Sequence, residues 1–94
     1  MFGAKVLLVD DHPLVLDSLR QLIEPTFTVV GCIGTADELL RRAKELHPDV
    51  VLLDASLPEM SGFEAARRLK VLLPTVKILM VTMLTEAISV SEAF

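Results

Sequence analysis

A chain of 94 residues, 52% of them hydrophobic, has room for one core and is short for a complete α/β fold. A net charge of −4 argues against nucleic-acid binding, because Arg41, Arg42, Arg67, Arg68 and Lys70 fall on solvated helix faces and form no basic stripe. No apolar run reaches the roughly 18 residues a membrane helix needs, and the single cysteine rules out an intrachain disulfide or a cysteine metal cluster.

The opening MFGAKVLLVDD lacks the basic and apolar segments of an export signal, so a soluble chain in a reducing cytoplasm is expected. AKVLLVD (4–10) is apolar almost throughout, as a parallel strand covered on both faces should be. Pro13 suits the first turn of the helix that follows, where a missing N–H costs nothing. Leu16, Leu19, Ile23, Val15 and Leu22 supply the buried stripe of that helix, Asp11 is a candidate N-cap, and Pro25 ends it. FTVVGCIG (27–34) is the second strand, weakened by its two glycines, with Cys32 expected to be a buried and inert thiol. Thr35 and Glu38 form a capping box that predicts a helix from about residue 36 to Leu46, closed by His47 and Pro48. DVVLLDAS (49–56) is the third strand. Ser61 and Glu64 form a second capping box, opening a helix through about Leu73 with Phe63, Ala66, Leu69 and Leu73 as its stripe. VKILMVTM (76–83) is the fourth strand, and TEAISVSEAF (85–94) is read as the start of a fourth helix. Apolar runs alternating with helical segments are the signature of βαβ units, so the expected class is α/β with a doubly wound parallel sheet.

In a parallel sheet the residues that end the strands collect along one edge. Asp10, Asp11, Asp54 and Thr82 are such residues. Right-handed crossovers restrict the layout, and a strand order of 2-1-3-4 sets the first and third strands side by side, about 4.8 Å apart. Asp10 and Asp11 then face Asp54 across the point where the strand order reverses. One aspartate at a strand end is ordinarily a turn or cap residue. Three of them in one sheet, with no basic partner nearby, make a hard-oxygen site, and Mg²⁺ fits it best. A carboxylate beside Mg²⁺ can attack phosphorus, and Asp54 is the central candidate. The loop after it, ASLPEMSG, holds Pro58 and Gly62 but no histidine, lysine or cysteine to compete as nucleophile. Thr82 could donate its hydroxyl to a phosphoryl oxygen, although a strand threonine is ordinarily there for its β propensity.

At these residues the sequence resembles a bacterial response-regulator receiver domain, most closely the NarL/FixJ (LuxR-type) kind. The resemblance rests on LLVDDHPLVLDSLRQLIE, PDVVLLDASLPEMSGFEAARRL and VKILMVTM, and it covers essentially the whole chain as a single domain, residues 1–94. It implies a flavodoxin-like (CheY-like) fold. It implies too that Asp10 and Asp11 are the acids of a Mg²⁺ site, with the backbone carbonyl of Ser56 as a further ligand. Asp54 would accept a phosphoryl group from a phosphohistidine of a sensor histidine kinase, and Thr82 would be the switch hydroxyl. Pro58 and Gly62 would shape the loop after the acceptor, while Ser56 and Leu84 match positions that tune dephosphorylation. His12 follows the acidic pair as in many members and is assigned no catalytic role.

Members of this family have five βα units, with a lysine ending the fifth strand and an aromatic switch residue within it. Lys5, Lys44, Lys70 and Lys77 lie elsewhere, so the chain is expected to be C-terminally truncated before that unit. Two consequences are expected: the fourth strand becomes an open edge that drives homo-oligomer formation, directly or by segment exchange, and phosphotransfer to Asp54 is impaired. The chain would be a phosphoacceptor that normally switches a transcriptional output domain, with no enzyme activity toward a separate substrate. Two other readings stand beside it. One is a non-phosphorylatable receiver fragment acting as an interaction module. The other is a Mg²⁺-dependent aspartyl-phosphate phosphatase, disfavoured because Ser56 stands where such enzymes carry a second aspartate.

Overall fold

The computed structural model describes residues 3–81 and 88–91. Eight elements follow in order: β1 (Lys5–Val9), α1 (Pro13–Ile23), β2 (Thr28–Ile33), α2 (Ala36–Leu46), β3 (Val50–Asp54), α3 (Gly62–Leu72), β4 (Lys77–Val81) and β5 (Ile88–Ser91). They build one five-stranded sheet in the order β2-β1-β3-β4-β5. The first four strands are parallel, the doubly wound arrangement expected from the sequence.

The strand residues alternate between two faces. Leu7, Val9, Val51, Leu53, Ile78 and Met80 turn toward α2 and α3, where Leu39, Ala43, Ala65, Ala66 and Leu69 complete a core with almost no exposure. Each such leucine contributes roughly 1.5–3 kcal/mol by leaving water. The other face is only partly covered. Val6, Val50, Leu52 and Leu79 line an apolar groove of about 300 Å³ with Ile23 and Phe27. This explains a departure from the predicted stripe of α1: Val15, Leu16, Leu19 and Ile23 are only half-buried, while Leu22 is 75% exposed. A helix lying on the margin of a half-covered face cannot bury a full apolar stripe.

Both predicted capping boxes are present in half. Thr35 Oγ1 accepts from the Glu38 amide and Ser61 Oγ from the Glu64 amide, each at 3.1 Å. The two glutamates do not return to the cap residues; Glu38 pairs with Arg42, and Glu64 with Arg67 and Arg68. These pairs are the solvated helix faces read from the sequence. At the start of α1 the N-cap is His12, not Asp11, with Pro13 in the first turn. At the end of α2, His47 caps in the left-handed region with φ 49°. Of the stripe predicted for α3, Ala66 and Leu69 are fully buried and Leu73 packs partly buried against the core, and only Phe63 departs from it. Gly62, Ala65, Ala66 and Leu69 are buried, and Phe63 is 55% exposed, because the helix presents its smallest residues to the sheet.

Two sequence expectations at the sheet edges are corrected. Cys32 is exposed, because β2 is an edge strand and its backbone is interrupted by a register shift opposite Val6 and Leu7. The fourth helix expected within 85–94 is replaced at Ile88–Ser91 by β5, which pairs antiparallel with β4: Leu79 faces Val90 and Val81 faces Ile88. Six residues, 82–87, separate the two strands, and a parallel partner would need a crossover of about a dozen or more. An antiparallel return is therefore the way this segment can satisfy β4. β4 is consequently not the open edge expected from the sequence, since β5 pairs along it.

Candidate acidic site at the carboxyl ends of β1 and β3

β1 and β3 are neighbours, with Val9 opposite Leu53, so the residues that follow them share one end of the sheet. Asp10 is 2% exposed and Asp54 1%. Burial at this level would be costly for a carboxylate without partners. The Asp10 amide donates to the Ile33 carbonyl at 2.9 Å, which fixes its backbone to β2. Its Oδ1 accepts from the His12 amide at 2.8 Å and lies 2.6 Å from the His12 ring nitrogen Nδ1. Asp11, which is exposed, places Oδ1 at 3.0 Å from the same nitrogen.

Asp54 is anchored from its own loop. Its Oδ1 accepts from the Ser56 amide at 2.9 Å and from Ser56 Oγ at 3.1 Å. The following amide, that of Ala55, donates to the Val81 carbonyl at 2.9 Å and ties the loop to β4. The other carboxylate oxygen, Oδ2, is buried and has no hydrogen-bond partner. Gly62 closes the loop: its amide donates to the Ala55 carbonyl at 3.0 Å. A Cβ there would lie 2.7 Å from both Ala55 Cα and the Asp54 carbonyl oxygen, so only glycine fits. Pro58 is on the exposed part of the same loop.

Asp10, Asp11, His12 and Asp54 thus converge, each offering one ligand atom within 4.8 Å of the others. Two unit charges about 4 Å apart repel by roughly 4 kcal/mol at an effective dielectric near 20. His12 partly compensates, and its hydrogen bond to Asp10 and then the charge of Asp11 raise its pKa above 6.5. Among the described residues no lysine or arginine forms an ion pair with these carboxylates. The residues fit a divalent cation by their chemistry: the donors are mostly hard oxygens, and a buried Asp54 oxygen is left unpaired. Thr82 and Leu84 lie outside the described residues; Val81, just before Thr82, pairs with Asp54. His12 is the member of the cluster to which sequence reading gave no role. The signal was there, an imidazole directly after two aspartates.

A doubly wound α/β sheet with acids gathered at its switch point defines a class of domain, and comparison with known proteins identifies which. The chain belongs to the response regulator receiver domain family, whose model matches residues 6–94. It is 44% identical over 68 residues to the transcriptional regulatory protein YdfI of Bacillus subtilis, covering 70% of this chain and 32% of that protein. It is 39% identical over 84 residues to the response regulator GacA of Pseudomonas syringae, covering 87% of this chain and 39% of that one. The chain therefore spans 32% to 39% of the length of these curated relatives. A solved two-component response regulator of the LuxR family from Aurantimonas sp. superposes with a TM-score of 0.82 at 39% identity, covering 88% of this chain and 61% of that one. The response regulator domain of Thermotoga maritima CheB gives 0.81 at 34% identity, covering 89% and 63%.

Proposed function

We propose that Asp54 is a phosphoacceptor that takes a phosphoryl group from the phosphohistidine of a sensor histidine kinase. The observation that carries this reading is the unpaired, buried Oδ2 of Asp54 inside the acidic cluster. Ser56 holds Oδ1 through its amide and hydroxyl, which orients the carboxylate and leaves the lone pairs of Oδ2 free. That oxygen attacks phosphorus, the P–N bond to the kinase imidazole breaks, and its electron pair returns to the imidazole nitrogen. Asp10, Asp11, Asp54 and the Ser56 backbone carbonyl would hold Mg²⁺, which when bound neutralises charge on the attacking and phosphoryl oxygens. Thr82 is the proposed switch hydroxyl, and Ser56 and Leu84 the residues that tune loss of the phosphoryl group.

The chain is in this reading a cytoplasmic phosphoacceptor and not an enzyme acting on a separate substrate. Because YdfI is named a transcriptional regulatory protein, we infer that phosphorylation controls a transcriptional output. Among the described residues none of the four lysines, Lys5, Lys44, Lys70 and Lys77, pairs with Asp54, so transfer by this chain is expected to be slow. Homo-oligomer formation is proposed through segment exchange, since β5 of a second copy can make the same backbone ladder with β4.

Incubation with acetyl phosphate and Mg²⁺, followed by intact mass measurement, tests the reading. The expected result is slow gain of one phosphoryl group, abolished in Asp54→Asn. Labelling that persists in Asp54→Asn would overturn it, and rapid complete labelling would refute the impairment.

A further inference from the structure

We propose that the half-covered face of the sheet is an interface between two copies of this chain, each laying its α1 over β3 and β4 of the other. α2 and α3 fill the opposite face with the core, while α1 packs mainly on β1 and β2. Two apolar grooves run end to end along α1. One, of about 330 Å³, lies between Leu14, Val15, Ser18 and Leu19 of α1 and Val81 of β4. The other, of about 300 Å³, continues past Ile23 and Phe27 over Val50, Leu52 and Leu79. No residue lining either groove carries a charge, so an acidic or basic peptide would lose its hydration there without gaining a partner.

The slot has the width of one helix. A position over β3 and β4 is two strand spacings from α1, about 9.6 Å, which matches the roughly 8–10 Å between the axes of packed helices. The chain carries an apolar occupant for it. Leu14 and Leu22, 81% and 75% exposed, stand on the helix that borders the slot. Val15, Ser18 and Leu22 recur at intervals of three and four residues, the spacing of a helix-pair seam. A two-fold axis parallel to α1 sets the two helices side by side in one layer between the two sheets, with the small Ser18 at the closest approach to its own mate. Each groove then receives the helix of the other copy, and the same surface serves both. Leu14, Leu22 and the groove residues offer on the order of 600 Å² per copy, so the pair removes about 1,200 Å² from water, the lower end of a stable interface. The contact uses side chains of one sheet face and leaves the ladder between β4 and β5 intact.

Sedimentation velocity of the 94-residue chain, from micromolar to submillimolar concentration, tests this. The expected result is a reversible equilibrium between monomer and dimer. Leu22→Glu should weaken the dimer tenfold or more while the circular dichroism spectrum stays unchanged, because the side chain is 75% exposed. A chain that stays monomeric throughout the range would overturn the proposal. So would a dimer that keeps its affinity in Leu22→Glu, the result expected of segment exchange through β5. A second measurement does not depend on that variant folding. In a Cys32→Ser background, Ser18→Cys should give a disulfide-linked dimer under mild oxidation, because the two copies of residue 18 meet at the axis. Arg41→Cys, on the exposed side of α2 in the same background, should not link. No link at position 18, or equal linking at both positions, also overturns the proposal.

Discussion

Gly62→Ala is the substitution whose effect follows most directly from the geometry of the acceptor loop. Gly62 is the first residue of α3, and a methyl group there would stand 2.7 Å from Ala55 Cα, 2.7 Å from the Asp54 carbonyl oxygen and 2.8 Å from Met80 Cε. Methionine can swing away, but the other two atoms are backbone at the end of β3. Overpacking of this kind costs about 1–3 kcal/mol. Opposing it, alanine restricts the unfolded chain and stabilises by about 0.4–1 kcal/mol where the backbone is unstrained. The clash wins, for a net loss of roughly 1–2 kcal/mol, which for a domain of this size lowers Tm by about 5–15 °C. Since the atoms pushed belong to Asp54 and Ala55, Mg²⁺ affinity should fall as well. Urea denaturation followed by circular dichroism gives the stability, and calorimetry gives the affinity. A variant as stable as the parent, with unchanged Mg²⁺ binding, would refute the close approach and the role assigned to this glycine.

Other expectations concern the caps, the helix faces and the histidine. His47→Gly relieves a left-handed residue at the end of α2 and should raise stability by about 1 kcal/mol, seen as a higher urea midpoint. Phe63→Ala should change stability by less than about 1 kcal/mol because the ring is 55% exposed, whereas Leu69→Ala, fully buried, should cost about 2–5 kcal/mol. His12 has a pKa raised above 6.5 by Asp10 and then Asp11, so the folded state binds its proton more tightly than the unfolded chain. Its stabilising contribution is then fully present below about pH 6.5 and is lost as pH rises through the higher folded value. Without added metal, the urea midpoint should decline over that window, and His12→Gln should flatten the decline.

Much of the fold was readable because its elements are locally unambiguous. The runs VLLV, VVLL and ILMV are apolar on both faces, which marks interior parallel strands, and the cap residues Thr35 and Ser61 place the starts of α2 and α3. The misreadings have a common origin in tertiary context. Leu22 and Phe63 carry the right period for a core stripe, yet the sheet face beside α1 is half open and α3 packs through Gly62, Ala65 and Ala66. Cys32 has apolar neighbours but sits on an edge strand. In β5, ISVS alternates with period two, a strand signal too short to outweigh the helical composition around it. For the acidic cluster, Asp10, Asp11 and Asp54 were placed by strand order alone. The contact of His12 with two of them depends on ring orientation, which spacing does not specify.

The central claim is that Asp54 carries the phosphoryl group. An aspartyl phosphate is reduced by borohydride to homoserine, so treatment after incubation with acetyl phosphate and Mg²⁺, then peptide mapping, locates it chemically. Homoserine at position 54, and at neither Asp10 nor Asp11, is the expected result. Homoserine at either of the other two, or modification unaffected by Asp54→Asn, would contradict the assignment.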